Sequence, residues 1–369
     1  MLKVYIHPEQ YNPLIPGVDL HILPFDIEPK DFVITHNVGD CDIIPVMCDH
    51  PSPEVKQILG ETCDKLIVRL IHTHIAEHNG SEYQRVYNNW KDYASKFCVV
   101  VTDINAEKNA PGIALFYDFL WNRQKAYYID YDEFVDGRIR MWSHLATKEM
   151  YQIPDIVPMQ SSNGDIRKFL SPNRTDLNYL HTSHRLIYRL LFYKYLHGSD
   201  AYWSDWSATP PNPLPAQQPG FMGEHGERFA GWWPVNNYYY ENSIISAYVE
   251  TLVSETSVCT LTEKSFEPLL KGNFVLPFGY SGIIKDIQSY GFRLPSWIDY
   301  SYDQEPDTTL RFALYVKEFL RLNHQYTKEE LIELHDRDID ILHHNNRLFY
   351  TRPYDSLHDK LQYFIKNYT

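Results

Sequence analysis

Leu261-Thr262-Glu263-Lys264-Ser265-Phe266-Glu267-Pro268 is the stretch whose reading decides the fold; it runs on through Leu269 to Phe-Val-Leu-Pro-Phe-Gly-Tyr-Ser-Gly, ending at Gly282. A charged Thr-Glu-Lys step stands before a short apolar segment with helical spacing. A hydrophobic strand follows, then the turn Gly279-Tyr280-Ser281-Gly282, then a second helix that Gly291 stops. Strand, Gly/Ser turn and helix in that order form a corner of a nucleotide-binding half-domain. Pro268 selects between two starts for the first helix. A start at Thr262 would place Pro268 deep enough to delete the hydrogen bond to the Lys264 carbonyl. A cap at Ser265 places it in the first turn, where its missing N–H costs nothing. The second arrangement is the expectation; it leaves Thr262, Glu263 and Lys264 in a loop ahead of the helix, free to reach a ligand.

The totals suit that reading. A length of 369 residues gives a prior of two domains or one large one. Hydrophobic residues at 44% and charged residues at 22% are ordinary for a soluble globular chain. The formal net charge of −14 counts against a protein whose main task is gripping nucleic-acid backbone. Five cysteines (41, 48, 63, 98 and 259), scattered and without a Cys-x-x-Cys, read as reduced thiols. No run approaches the length of a membrane span, and Met1–Pro8 reads as a first strand, not a signal peptide. A soluble, cytoplasmic protein is expected.

In the first 160 residues, short apolar runs alternate with helical stretches. Val4–Ile6, Leu20–Leu23, Asp31–Thr35, Leu66–Ile71 and Phe97–Thr102 read as strands. Tyr83, Val86, Tyr87, Trp90 and Tyr93 fit one face of a helix spanning 81–96. Such alternation implies a mainly parallel sheet, with ligands beyond the carboxyl ends of its strands. The polar segments His36–Asp42 and His72–Gly80 follow strands and are the ones to inspect. His72, His74 and His78 have metal-like types but no evident fourth ligand, so the second segment reads better as a catalytic loop. In it Glu77 or a neighbouring His is placed to accept a proton from a substrate hydroxyl. Asp130-Tyr131-Asp132 is an Asp-x-Asp, assigned to structure because no strand ends at it. Gly-x-Gly-x-x-Gly and the P-loop pattern are absent.

Around 153–162 the chain becomes irregular, as a linker does. Arg167–Arg174 then reads as a strand ending in the polar turn Asn173-Arg174. A helix from about Thr182 to Leu196 follows, so Arg174 and Arg185 bracket a strand-to-helix turn where an anion such as a diphosphate is favoured. The Pro-, Gly- and Trp-rich segment 204–236 reads as a binding loop or lid, with Trp232 and Trp233 available for packing or stacking. Apolar residues over 246–253 close with Ser254-Glu255-Thr256. Beyond the deciding stretch come Ser301-Tyr302-Asp303, a helix over 310–320, and amphipathic helices at 327–342 and 353–368.

From about residue 165 to 325 the chain resembles the donor-binding half of alpha-1,3-fucosyltransferases. The residues carrying the resemblance are Glu241-Asn242, Thr262-Glu263-Lys264, and Leu270-Lys271-Gly272 with the apolar strand and Gly279. It is more similar still to fucosyltransferase-like proteins of phages and bacteria. Those carry Ser-Glu-Thr (here 254–256), Thr-Glu-Lys-x-x-x-Pro (262–268) and a late Ser-Tyr-Asp (301–303) before a charged helix. Leu261 and Lys271 stand where the fucosyltransferases have Tyr and Ala.

The resemblance implies an α/β fold of two Rossmann-like domains facing a cleft, the GT-B type. The domains would be an acceptor-side domain at 1–160 and a nucleotide-sugar domain at 165–325, with C-terminal helices at 326–369 crossing back over the junction. It implies a nucleotide-sugar-dependent glycosyltransferase, inverting and without a metal, that takes a nucleotide-diphosphate sugar as co-substrate and no permanently bound cofactor. Candidate donor-binding residues are Asn173, Arg174, Arg185, Glu255, Thr262, Glu263, Lys264, Gly279, Tyr280 and Ser281. Glu77 is the candidate base. The acceptor stays open between a glycan and a hydroxymethylated base of modified DNA, the latter requiring a viral DNA-modifying enzyme with a local basic cleft. A third reading is a non-catalytic sugar-binding protein with the same fold.

Overall fold

The computed structural model describes residues 1–5, 32–46, 48–71, 80–101, 103–117, 155–162, 164–175, 187–205, 237–250, 253, 259, 261–352 and 356–368. These residues form an α/β protein with two sheets whose strand pairs are all parallel.

The first sheet holds β1 (Leu2–Tyr5), β2 (Phe32–Thr35), β3 (Ile43–Val46), β4 (Cys63–Ile71), β5 (Ala94–Val101) and β6 (Ala114–Phe116), in the order β2-β1-β3-β4-β5-β6. Its connections carry helices α1 (Pro53–Leu59), α2 (Gly80–Trp90) and α3 (Ala106–Asn109). Local chemistry sets the ends of α1. Ser52 caps its first turn, Pro53 stands where no N–H is needed, and Gly60 leaves it at φ 93°, open to glycine. Alternate residues of the strands face opposite layers. Tyr5, Ile44, Val46, Ile67, Val99 and Val101 pack against Val55 of α1 and Tyr83, Val86 and Trp90 of α2.

The second sheet holds β7 (Arg167–Thr175), β8 (Ala201–Asp205), β9 (Ser243–Val249) and β10 (Phe274–Phe278), in the order β10-β9-β7-β8. One face packs on α4 (Ile187–Leu196) and on α8 (Thr308–Gln325): Phe169, Ile245, Val249 and Phe278 meet Phe192, Phe312, Tyr315 and Phe319. The other face takes α5 (Asn237–Glu241), α6 (Glu263–Leu270) and α7 (Ile283–Ser289), through Tyr239 and Tyr240, Phe266 and Leu269, and Ile283 and Ile287.

Three further helices, α9 (Lys328–Arg337), α10 (Ile339–Thr351) and α11 (Leu357–Tyr368), close the chain. A full capping box at Thr327 and Glu330 starts α9. The last helix leaves the second sheet: Leu357, Leu361 and Phe364 pack on the free face of the first sheet, against Val4, Ile43, Leu66, Val68 and Val100.

Several element boundaries differ from the sequence reading. The helix expected over 81–96 stops at Trp90, and β5 begins at Ala94. The Tyr93 N–H turns back to the Trp90 carbonyl, and its phenol donates to Gly60 O at 2.7 Å, so Tyr93 closes a turn. The single helix expected over 327–342 is two, broken at Asp338, whose carboxylate takes the Trp297 indole N–H at 3.1 Å. The break swings α10 onto α6, where Asn346 donates to Leu270 O at 2.8 Å. The polar turn expected at Asn173-Arg174 is strand: β7 runs on to Thr175, with its register to β8 shifting between Ser171 and Arg174. That shift is what admits Pro172 to an inner strand, where a proline would otherwise remove a ladder bond.

Candidate active site at the carboxyl ends of the second sheet

In parallel α/β sheets, ligands gather beyond the carboxyl ends of the strands, where strand order reverses. In the second sheet the chain builds outward to β8 on one side of β7 and to β9 and β10 on the other, so the reversal falls between β7 and β9. Asn173 spans that position. Its side chain accepts from the Val249 N–H at 2.6 Å and donates to the Val249 carbonyl at 2.7 Å.

One residue further, Glu250 leaves β9 fully buried. Its carboxylate accepts from the Thr262 N–H at 3.0 Å, the Thr262 hydroxyl at 2.6 Å and the Ser265 hydroxyl at 2.6 Å. The Tyr248 phenol donates to Ser265 Oγ at 3.0 Å, which extends this polar seam beneath α6. Thr262 is the N-cap of α6, and its Oγ accepts from the Lys264 N–H.

This overturns the expected loop. Thr262 caps the helix, Glu263 and Lys264 form its first turn, and Pro268 lies inside it. The energetics explain the choice. An interior proline costs about 3 kcal/mol. Hydrogen bonds to a charged group contribute about 1.5–3 kcal/mol each, and three converge here from Thr262 and Ser265. A helix capped at Ser265 would forfeit that arrangement around a buried carboxylate. Lys264 therefore stands in a helical first turn, half-buried, beyond the carboxyl end of β9.

The Gly279 turn lies beside it. A Cβ on Gly279 would meet Ile283 Cδ1 at 2.8 Å and Glu250 Cβ at 3.3 Å, so β10 approaches Glu250 closely at this glycine. Tyr280 is buried and its phenol donates to Asp286 at 2.8 Å; Ser281 is exposed and its hydroxyl donates to Asp303 O at 3.0 Å. Asp303 is buried, and its carboxylate accepts from the Gly282 and Ile284 N–H groups at 3.2 and 3.0 Å. Burial pushes the Asp303 carboxyl up to about 6, against the pull of those amides and of Arg311. Arg311, also buried, donates to the carbonyls of Gly279, Glu305 and Pro306 at 3.2, 2.6 and 3.1 Å. The start of α7 is thus filled by an internal carboxylate, and the turn amides of Gly282 and Ile284, next to the Gly279–Ser281 group expected to meet a diphosphate, are engaged.

Two polar clusters stand at the carboxyl ends of the first sheet. Arg69 on β4, buried, donates to Asp49 at 2.9 Å, and Arg85 of α2 reaches the same carboxylate at 2.7 Å. Burial works against ionisation there, but the hydrogen bonds from Arg69 and Arg85 hold Asp49 below the usual carboxylate range. The second cluster joins the two halves. Asp103, just past β5, accepts from the Tyr83 phenol at 2.9 Å and from the Cys259 N–H at 3.0 Å, while the Ile104 N–H donates to Cys259 O at 2.9 Å. Cys259 lies three residues before the α6 cap, so the segment entering α6 is anchored on the first half.

Of the residues expected to bind donor, the structure gathers Asn173, Thr262, Lys264, Gly279, Tyr280 and Ser281 around the ends of β9 and β10. The backbone of Arg174 lies in β7 and that of Glu263 opens α6. Glu77, Arg185 and Glu255 lie outside the described residues, as do His72, His74, His78, Asp130–Asp132, Trp232 and Trp233. Asn173, Thr262 and Tyr280 spend their side chains on internal bonds. Glu250 and Arg311 escaped the sequence reading. The one available signal was a glutamate directly after an apolar strand run at 243–249. Among the described residues, no group of His, Cys, Asp or Glu is placed to hold a metal, and no helix is long and apolar enough to cross a membrane. The two parallel sheets with their covering helices make this an α/β protein, an arrangement compatible with a Rossmann-like fold. No family model, curated protein or solved structure matches the chain.

Proposed function

We propose that the chain is a nucleotide-sugar-dependent glycosyltransferase of the GT-B type, with the donor on the second sheet and the acceptor on the first. The observation that carries this reading is the position of Lys264. It sits in the first turn of an eight-residue helix, beyond the carboxyl end of β9 and next to the strand-order reversal. A helix N-terminus favours an anion by about 0.3–1 kcal/mol, and Lys264 adds a cation in the same turn. A nucleoside diphosphate fits that chemistry. The Thr-Glu-Lys-x-x-x-Pro resemblance to fucosyltransferase-like proteins supports the same reading independently.

In the reaction, the acceptor hydroxyl loses its proton to a base as its oxygen bonds the anomeric carbon. The bond from that carbon to the diphosphate oxygen breaks, and the nucleoside diphosphate leaves with the electron pair. Lys264 offsets the charge that develops on the leaving oxygen, and Arg174 is the candidate second cation. Such fixed charge is the largest lever available to a transferase without a resident metal. Glu77 is the candidate base. The −14 net charge favours a glycan hydroxyl over a DNA base as acceptor. The five free cysteines suit a cytoplasmic enzyme.

A panel of nucleotide sugars, assayed for release of nucleoside diphosphate and then with glycan and hydroxymethylated-DNA acceptors, tests the reading. Slow hydrolysis of one donor is expected, and Lys264→Ala should lower transfer about a hundredfold or more. Near-normal turnover of Lys264→Ala at saturating donor would remove the assignment. A protein that binds a donor without hydrolysing or transferring it is a sugar-binding protein, not an enzyme.

A further inference from the structure

We infer that Glu250 is the positioning residue of the donor site: its buried carboxylate sets the first turn of α6, and with it Lys264, against the Gly279 turn. This rests on the reading of Lys264 as the diphosphate-binding cation.

Glu250 meets both of the segments that site needs. Its carboxylate holds the N–H and hydroxyl of Thr262 and the hydroxyl of Ser265, the residues on either side of Glu263-Lys264. Its own N–H donates to Phe278 O at 2.7 Å, the last residue of β10. Its Cβ and Cγ would lie 3.3 and 3.6 Å from a Cβ on Gly279, closing the space beneath that turn. One residue thus meets two stretches, 262–265 through its carboxylate and 278–279 through its N–H and the foot of its side chain. A carboxylate buried beneath a helix start is costly unless it is fully hydrogen-bonded. An apolar side chain there would leave the helix start to the local preference for a cap at Ser265. A carboxylate does something more: it takes both hydroxyls and the cap N–H at once and so leaves one orientation for the first turn. Displacing a reacting or binding group by about 1 Å can cost two orders of magnitude in rate, and that is the error Glu250 prevents. Glu250 stays behind the turn and touches no substrate.

The test compares full-length wild type with Glu250→Ala, Glu250→Gln, Ser265→Ala and Lys264→Ala. Binding of GDP, UDP, ADP and CDP is followed by calorimetry, and circular dichroism reports the fold. Glu250→Gln keeps the shape and an acceptor for the Thr262 N–H, while its amide donates to the Thr262 hydroxyl. Glu250→Ala should weaken the nucleotide that wild type binds by about tenfold or more, with Glu250→Gln restoring it to within about threefold and Ser265→Ala falling between. The same ranking should appear in the donor KM, with a smaller change in kcat. Wild-type affinity in a folded Glu250→Ala overturns the inference and leaves the Lys264 reading intact. If Glu250→Ala does not fold, wild-type affinity in Ser265→Ala overturns it equally, and so does equal weakening by Gln and Ala. If wild type binds none of the four nucleotides, the reading beneath it fails, and the inference with it.

Discussion

The Asn173 side chain pairs with the Val249 backbone as another strand residue would, accepting from its N–H at 2.6 Å and donating to its carbonyl at 2.7 Å. Pro172, the residue before it, has no N–H to offer the ladder. An amide side chain therefore continues the β7–β9 pairing to the point where the strands diverge toward the site. Asn173→Ala should lose about 2–4 kcal/mol in denaturant unfolding, because it leaves a buried N–H and C=O of Val249 without these partners. Asn173→Asp should be no milder, since a carboxylate cannot donate to the carbonyl. A change below about 0.5 kcal/mol for Ala would show that the pairing is dispensable.

Asp303 gives a pH dependence with a definite sign. Its carboxyl is raised in the folded chain to about 6, above the ordinary value of 3.8. The folded state therefore holds this proton more tightly than the unfolded state does. Its contribution is most favourable below the unfolded value and is lost as pH rises from about 4 to about 6, by up to about 3 kcal/mol. Asp303→Asn should remove that slope. The difference in unfolding free energy between wild type and variant, measured from pH 4 to 7, should shift steadily against wild type as pH rises; a flat difference would contradict the buried, raised carboxyl.

Asp103 links the two halves through Cys259 while tied to Tyr83. Burial raises its carboxyl, against the N–H groups of Cys259 and Asn105 and the Tyr83 phenol. Asp103→Ala should cost about 2–4 kcal/mol by stranding those donors. Because Cys259 stands three residues before Thr262, the same variant should speed hydrogen exchange at the amides that open α6. Unchanged exchange at Lys264 and Ser265 would show that the junction does not constrain the helix start.

The final helix completes the first sheet. Phe364 is buried with Leu357 and Leu361 against Val4, Leu66 and Val100. Phe364→Ala should destabilise by about 3–5 kcal/mol, and removal of 357–369 should expose enough apolar sheet to bind a hydrophobic dye. A truncated chain with the thermal midpoint of the full one would refute that role.

Period and punctuation made much of this architecture legible. The strands at Leu66–Ile71, Phe97–Val101 and Phe274–Phe278 were legible as apolar runs, because a parallel sheet is covered on both faces, whereas Ile43–Val46 escaped the sequence reading. Gly291, at φ 96°, ends a helix where the sequence placed it. Boundaries were less legible where a distant partner decided them. Asp92-Tyr93 is turn because Tyr93 reaches Gly60, and Asn173 is strand because Val249 stands opposite.

The candidate site divides in the same way. Residue order by itself determined that a lysine, a cap and a glycine turn fall together in one stretch between two parallel strands, because local spacing alone fixes those elements. Tertiary structure decided what that stretch does. Pro268 argued for a helix beginning at Ser265, and local energetics supported it. Glu250 overrode that preference. It is a buried carboxylate twelve residues upstream of Thr262, and it must find hydrogen-bond donors, which only a helix begun at Thr262 brings within reach. The cost of a proline inside a helix is local and can be read from sequence; the cost of an unsatisfied buried charge depends on where the chain returns.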